Sequence, residues 1–413
     1  MNVAIIGGGA AGFFAAITLK EQNKDIHVTI FEKTSNVLSK LAISGGGRCN
    51  LTNTFEEIQD LKKAYPRGDK LLKKAFRTFS HLDTVTWFQK RGVPLVTQED
   101  QCVFPRSQNA QSIIDCFLHL SATLGVNIKR SYGLKFLQSK SNQIELHFLD
   151  EKQAPLWFDK VIVTTGGSPH REGLSYLEAL GHKIEEPVPS LFTFNIPNDS
   201  IRELMGVVVE NTIVSLQGTK LKTTGALLIT HWGMSGPAIL KLSSYAARVL
   251  KEKDYCATLL VNWVNEMNSD AILTYLNTIV ALNPQKQVSN IRPYDLSSRL
   301  WTLLLHRAEI PENRRWNELG KKGVNRLMNV LSNDLYAVNG KGVFRDEFVT
   351  CGGVSLESVQ VLTLESKVCP NLYFAGEVLD IDAITGGFNF QAAWTTAYLA
   401  AQAIARSSSF FKE

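Results

Sequence analysis

Four glycines within six residues, Gly7-Gly8-Gly9-Ala10-Ala11-Gly12, follow the apolar run Val3–Ile6 and precede the helix-forming stretch Phe13–Lys20. No other feature constrains the fold of this chain as tightly. The strand–turn–helix context gives the G-x-G-x-x-G spacing a structural meaning. Gly7 suits the tight turn, Gly9 lets the backbone approach a pyrophosphate, and Gly12 lets the helix pack on the sheet. Ala10 and Ala11 complete the turn, and the start of the helix that follows offers N–H groups and a dipole that favour phosphate. A second β-branched run, Val28–Phe31, ends at Glu32, twenty residues after Gly12, with Lys33 beside it. A carboxylate at that spacing accepts hydrogen bonds from both ribose hydroxyls and repels a 2′-phosphate. A parallel α/β unit that binds a dinucleotide, NAD or FAD, is therefore expected.

The composition narrows the remaining classes. At 413 residues and 44% hydrophobic, two or three domains are expected. The apolar start, Val3–Leu19, lacks a basic flank and is broken by glycines, so it does not read as a secretory leader. No run of about 18 apolar residues occurs, and no membrane partner is expected. The six cysteines are scattered without a CxxC pair. That argues against a disulfide framework and a structural zinc, and for reduced thiols in the cytoplasm. HExxH is absent as well, so no metal is expected. The net charge of +5 permits an anionic ligand without demanding nucleic acid. Nothing in the sequence specifies an oligomeric state.

Three further glycine-rich segments lie far from the first, as expected if the whole chain wraps a long ligand. Ser44-Gly45-Gly46-Gly47-Arg48-Cys49-Asn50 clears side chains where a flat ring or a phosphate must approach, and Arg48 adds a fixed positive charge. Val161–Thr164 runs into Thr165-Gly166-Gly167, which suits a strand end passing close to a cofactor. Near the carboxyl end, Leu372–Phe374 leads to Ala375-Gly376-Glu377, then Thr385-Gly386-Gly387-Phe388-Asn389 and an alanine-rich helix, Gln391–Ala405. This distribution favours FAD over NAD. No second G-x-G-x-x-G follows residue 100, so NAD(P)H is expected only as a transient co-substrate.

These motifs together (GGGAAG, SGGGRCN, the TTGG strand end and AGEVLD…TGGFN, with THWGMSGP in the middle) resemble the bacterial HI0933-like flavoprotein family. That family comprises NAD(P)/FAD-dependent oxidoreductases, some aminoacetone-oxidase-like, and includes a bile-acid enone reductase. The resemblance covers essentially the whole chain. It implies a glutathione-reductase-type, Rossmann-like FAD-binding domain with an inserted small β-barrel and helical subdomain. It also implies pyrophosphate at Gly7, Gly9 and Gly12, ribose at Glu32, adenine at the backbone of Leu134, and isoalloxazine along Gly45–Asn50. Glu377 stands where broader FAD relatives carry aspartate, at a position that would bond the ribityl chain.

The FAD domain is expected to be discontinuous, residues 1–189 and 342–413. Leu191–Ile196, Val207–Leu216 and Ala226–Thr230 read as short strands of a small antiparallel barrel or sandwich, 190–265 with 334–341. Ala271–Val280, Ser297–Arg307 and Gly323–Leu331 show helical spacing and define a helical insert, 266–333. Three structural units are expected, with a small-molecule substrate enclosed between them.

His231, in a Gly/Ser/Pro-rich loop, is the candidate proton donor or substrate anchor, against the alternative of a hydrogen-bonded structural histidine. Asp380 is the second catalytic candidate, though it and Asp382 also suit turn capping. Cys49 reads as a small buried filler rather than a redox thiol. Two basic clusters raise RNA as an alternative partner: Lys62, Lys63, Arg67, Lys70, Lys73, Lys74 and Arg77, and Arg299, Arg307, Arg314, Arg315, Lys321, Lys322 and Arg326. Both read more simply as solvated helix faces. The function expected is hydride transfer between flavin and a small organic substrate. The alternatives are an RNA-directed flavoprotein and a flavin-bearing sensor without turnover.

Overall fold

The computed structural model describes residues 1–342 and 349–409. Packing divides the chain into two compact units, Met1–Pro189 with Val349–Glu413, and Ser190–Phe348. Residues 343–348 and 410–413, which the sequence assigns to the cofactor domain, lie outside the described residues.

The first unit is built on a five-stranded sheet in the order Leu372–Phe374, Lys160–Val163, Asn2–Ile6, His27–Phe31, Asn127–Lys129, every pair parallel. The strands carry the continuous β-branched and aromatic runs typical of sheets covered on both faces. Ala10–Gln22 forms the first helix, and its residues Ala11–Leu19 are all buried. A helix apolar all round must be enclosed. It meets the final helix, Phe388–Ser409, through Phe14 and Trp394, whose rings lie 5.4 Å apart. Phe117 and Phe88 complete that aromatic core around Trp394, at 5.7 and 5.8 Å. A three-stranded antiparallel sheet, Leu134–Lys140, Gln143–Phe148 and Leu156–Phe158, packs on the strand His27–Phe31 through Phe31, Phe148 and Phe158.

The second unit is a six-stranded antiparallel sheet in the order Phe194–Asn195, Gly233–Ser235, Lys222–Ile229, Val208–Leu216, Cys256–Asn262, Asp334–Asn339. Its ends meet: Phe194 bridges Lys341, and Asn195 N–H donates to Gly340 O at 3.1 Å. The sheet thus closes into the small barrel, although the run Leu191–Ile196 contributes only Phe194–Asn195 as strand. Helices Ser269–Leu282, Ser298–Arg307 and Gly320–Ser332 do not form a third unit. Their buried Leu276, Leu300, Trp301, Leu304 and Leu327 share one core with barrel residues Val214, Leu259, Val261 and Tyr336. Amphipathic helices this short bury their apolar faces only against another element, and here that element is the barrel wall.

Candidate functional site

Three strand ends of the parallel sheet meet at the glycine turn. Gly7 N–H donates to Phe31 O at 2.8 Å, Thr164 N–H donates to Ile6 O at 2.8 Å, and Ala375 N–H donates to Val163 O at 3.0 Å. Gly7 has φ +118°, and a Cβ there would lie 2.4 Å from the Thr164 carbonyl oxygen. A Cβ at Gly12 would lie 2.1 Å from Gly7 O. Chain packing alone therefore demands glycine at both positions. Gly9 differs, because a Cβ there would meet nothing within 4 Å. It caps a helix whose first turn, Ala10, Ala11 and Gly12, contains no acid and receives no capping side chain. First-turn N–H groups lack intrahelical acceptors and attract anions, so open space and donors coincide where a pyrophosphate is expected.

Glu32 terminates the adjacent strand, half-buried. Its Oε2 accepts from Gly8 N–H at 2.9 Å, and its Oε1 accepts from the N–H and hydroxyl of Thr34, both at 2.9 Å. The carboxylate is thus fixed beside the glycine turn, with lone-pair capacity left for ribose hydroxyls. The chain returning from the fifth strand runs alongside: Tyr132 N–H donates to Glu32 O at 2.8 Å and Ser131 N–H to Thr34 O at 2.9 Å. Leu134, two residues on, opens the antiparallel sheet, and exposed Lys33 flanks Gly133. Glu32, Lys33 and Leu134 therefore gather at one edge.

The SGGGRCN segment breaks the short helix Ser39–Gly47, with Ser44, Gly45 and Gly46 all non-helical. Asn50 links it to the carboxyl-terminal loop. With its side-chain amide turned to satisfy both neighbours, Asn50 accepts from Gly387 N–H at 3.1 Å and donates to Thr52 O at 3.0 Å. A Cβ at Gly387 would sit 2.3 Å from Thr52 O, so this contact requires glycine. Asn53 Nδ2 donates to Gly386 O at 3.2 Å. Asn389 pins the same loop by accepting from Ala383 N–H at 2.9 Å and donating to Ala383 O at 3.1 Å. Arg48 is exposed, lies 4.6 Å from the Phe104 ring centre, and donates to Gly45 O at 3.1 Å. Cys49 is fully buried, and burial pushes its thiol up to about 12, so it remains protonated and unreactive.

Thr165 and Gly166 follow Thr164 out of the sheet, and Gly376 approaches Ala11 with a Cβ position 3.1 Å from the alanine methyl. Glu377 follows Gly376. Its Oε1 accepts from Thr350 N–H at 2.8 Å, and its Oε2 lies 3.6 Å from Lys40 Nζ. The extra methylene relative to aspartate carries the carboxylate to these partners. The first unit thus links residues from seven stretches of sequence, 7–12, 32–34, 40–53, 131–134, 164–166, 376–377 and 386–389.

His231 belongs to the second unit. Its ring is exposed and packs edge-on against Trp232 at 4.3 Å. The loop itself is firmly tied: Arg202 Nε donates to His231 O at 2.7 Å, and Trp232 Nε1 donates to Thr193 Oγ1 at 3.1 Å. Asp380 lies in the first unit, its N–H donating to Val354 O at 2.9 Å.

Asp382, expected to suit turn capping, is fully buried and bound by Arg67 through Nε, at 2.5 Å, and through Nη2. Arg67 accordingly leaves the solvated face assigned to its cluster, whereas Lys62, Lys63, Lys70, Lys73, Lys74 and Arg77 are exposed. Likewise Arg307 Nε donates to buried Asp334 Oδ1 at 2.6 Å. Lys40, Thr350 and the Arg67–Asp382 pair escaped the sequence reading. Arg67 was masked by neighbouring cations, and Lys40 carries no spacing signal.

The family model for the HI0933-like protein Rossmann domain matches residues 1–403. A 3-dehydro-bile acid delta(4,6)-reductase from Clostridium scindens is 28% identical, covering 98% of this chain and 99% of the relative. A ribosomal RNA dihydrouridine synthase from Escherichia coli is 27% identical, covering 97% of each. Among solved structures, a 3-ketosteroid delta1-dehydrogenase from Sterolibacterium denitrificans aligns with TM-score 0.52 and 12% identity, over 98% of this chain and 99% of the other. An E. coli quinol fumarate reductase aligns with TM-score 0.50 and 12% identity, over 100% and 71%. The structural likenesses establish the fold. Among the described residues, no helix is long and apolar enough to cross a membrane.

Proposed function

The chain belongs to the HI0933-like family, and on that footing we propose that it is an FAD-dependent oxidoreductase. In this reading it reduces a carbon–carbon double bond conjugated to a carbonyl, with NAD(P)H as the electron donor. The observation that carries the cofactor assignment is the open space at Gly9 in front of an acid-free helix terminus, with Glu32 fixed beside it. The residues present fit FAD. Gly7–Gly12 would hold the pyrophosphate, Glu32 the ribose and the backbone near Leu134 the adenine. Asn50 with Gly386 and Gly387 would shape the bed of the isoalloxazine.

Bound there, the flavin supplies two-electron chemistry that no side chain provides. The protein's own duties are to orient the ring, exclude water and deliver a proton. His231, presented on a tied loop, is the proposed donor, and Asp380 a lesser candidate. The substrate class is supported by what the two named relatives have in common, since a dienone and a uracil both carry an alkene activated by a carbonyl. Anaerobic mixing with NADH or NADPH, followed by reoxidation with a conjugated enone, tests the scheme. Flavin bleaching and enone-dependent recovery are expected. Recovery by oxygen alone would instead mark an oxidase.

A second reading, in which the reduced bond belongs to an RNA base, is supported by the exposed Lys62, Lys63, Lys70, Lys73, Lys74 and Arg77. Binding of structured RNA over a salt series tests it. A steep loss of affinity with salt supports RNA, and no binding removes it.

A further inference from the structure

Lys40 lies outside every motif, yet its ammonium reaches Glu377, beside the glycines of two further segments. Leu38 N–H donates to Gly8 O at 2.8 Å and so fixes the start of the helix Ser39–Gly47 against the dinucleotide turn. Two residues on, Lys40 Nζ lies 3.6 Å from Glu377 Oε2, its side chain 66% exposed. An exposed Lys–Glu pair contributes little by itself, so the pair needs a reason beyond stability.

Its surroundings supply one. Thr350 N–H holds the other oxygen of Glu377. The Cβ position of Gly166 is 3.7 Å from Glu377 Oε2, and that of Gly167 is 2.7 Å from Oε1. Gly376, the residue before, sits against Ala11 in the first turn of the helix expected to face phosphate. A fixed carboxylate at this junction repels any phosphate brought to the helix terminus. The cation offsetting it must be near enough to serve both anions and mobile enough to shift between them. A flexible, exposed ammonium 3.6 Å from the carboxylate is placed to shift toward a second anion.

We propose that Lys40 is the phosphate-recognising side chain of the cradle. The assignment rests on the flavin reading above and adds a residue that no motif marks. In a cradle where backbone N–H groups do the rest, Lys40 supplies the full positive charge for the pyrophosphate.

The test is a double-mutant cycle on FAD affinity, read by quenching of flavin fluorescence on titration into apoprotein. Lys40→Ala should weaken FAD about tenfold at low salt, and the gap should narrow as salt screens the charge. Lys40→Arg should stay near wild type. In a Glu377→Gln background, where no carboxylate needs neutralising, Lys40→Ala should still cost about tenfold. An effect that vanishes in that background would mean Lys40 acts only through Glu377, and no effect in either would deny it a role. Both outcomes overturn the proposal. A wild-type protein that binds no FAD would remove the flavin reading first, and this assignment with it.

Discussion

Arg67 and Asp382 form a two-point ion pair across 315 residues of sequence: Nε donates to Oδ1 at 2.5 Å, and Nη2 to the other oxygen of a wholly buried carboxylate. The pair ties the segment after the SGGGRCN loop to the loop that leads into Gly386 and Gly387. Removing one member of a buried pair costs about 3–5 kcal/mol. Arg67→Ala should lower the urea midpoint accordingly, and Arg67→Lys should recover only part of it, since an ammonium cannot reproduce the fork. An unchanged midpoint in Arg67→Ala would contradict the structural role.

Gly9 and Gly12 should separate by phenotype. Gly12→Ala forces a methyl into Gly7 O and should destabilise the unit whether or not cofactor is present. Gly9→Val places its branch in open space and should leave the apoprotein's melting temperature unchanged while abolishing FAD retention. Melting curves with and without added FAD distinguish the two. Full FAD stabilisation of Gly9→Val would place the pyrophosphate elsewhere.

His182 gives the first unit an acid sensitivity. The ring is buried, with Nδ1 3.0 Å from Leu177 O and Nε2 2.7 Å from Ser366 Oγ. Burial holds its pKa below the ordinary value of about 6.5, with the Leu177 carbonyl opposing that shift. As pH falls through the ordinary value the unfolded chain takes up a proton that the folded chain refuses. The stability from this group is therefore present above the ordinary pKa and lost as pH falls through the depressed one. His182→Gln should flatten the fall in urea midpoint between about pH 7.5 and pH 5. An identical slope in both proteins would assign the acid sensitivity to other groups.

His231→Ala should slow turnover by about 10²–10⁴-fold if the ring donates the proton. Flavin occupancy should be unaltered, because the imidazole is exposed and the loop is held through the His231 carbonyl rather than its ring. Normal turnover with a shifted KM would make His231 an anchor, and no change in either would return it to the loop's architecture.

The parallel sheet and its cofactor edge were legible because three of its strands, Asn2–Ile6, Lys160–Val163 and Leu372–Phe374, are apolar runs that lead into glycines. Glu32 was legible for the same reason, its spacing from Gly12 being set by one helix and one strand. The barrel strands could be read from their alternation, but not the way Phe194 and Lys341 close the sheet, since two residues make no pattern. The helices after residue 266 looked like a separate unit because their amphipathic faces show what they bury but not against what. Arg67 and Asp382, and Lys40 and Glu377, were invisible because an ion pair between distant segments leaves no periodicity in either.

One chain should hold one FAD, and denaturing the purified protein and identifying the released flavin decides it. A yellow protein that releases FAD, not FMN, in a ratio approaching one per chain is expected. Glu32→Ala should lower that ratio by removing a charge-assisted acceptor for the ribose, worth about 1.5–3 kcal/mol. A colourless protein that cannot be reconstituted by added FAD would contradict it.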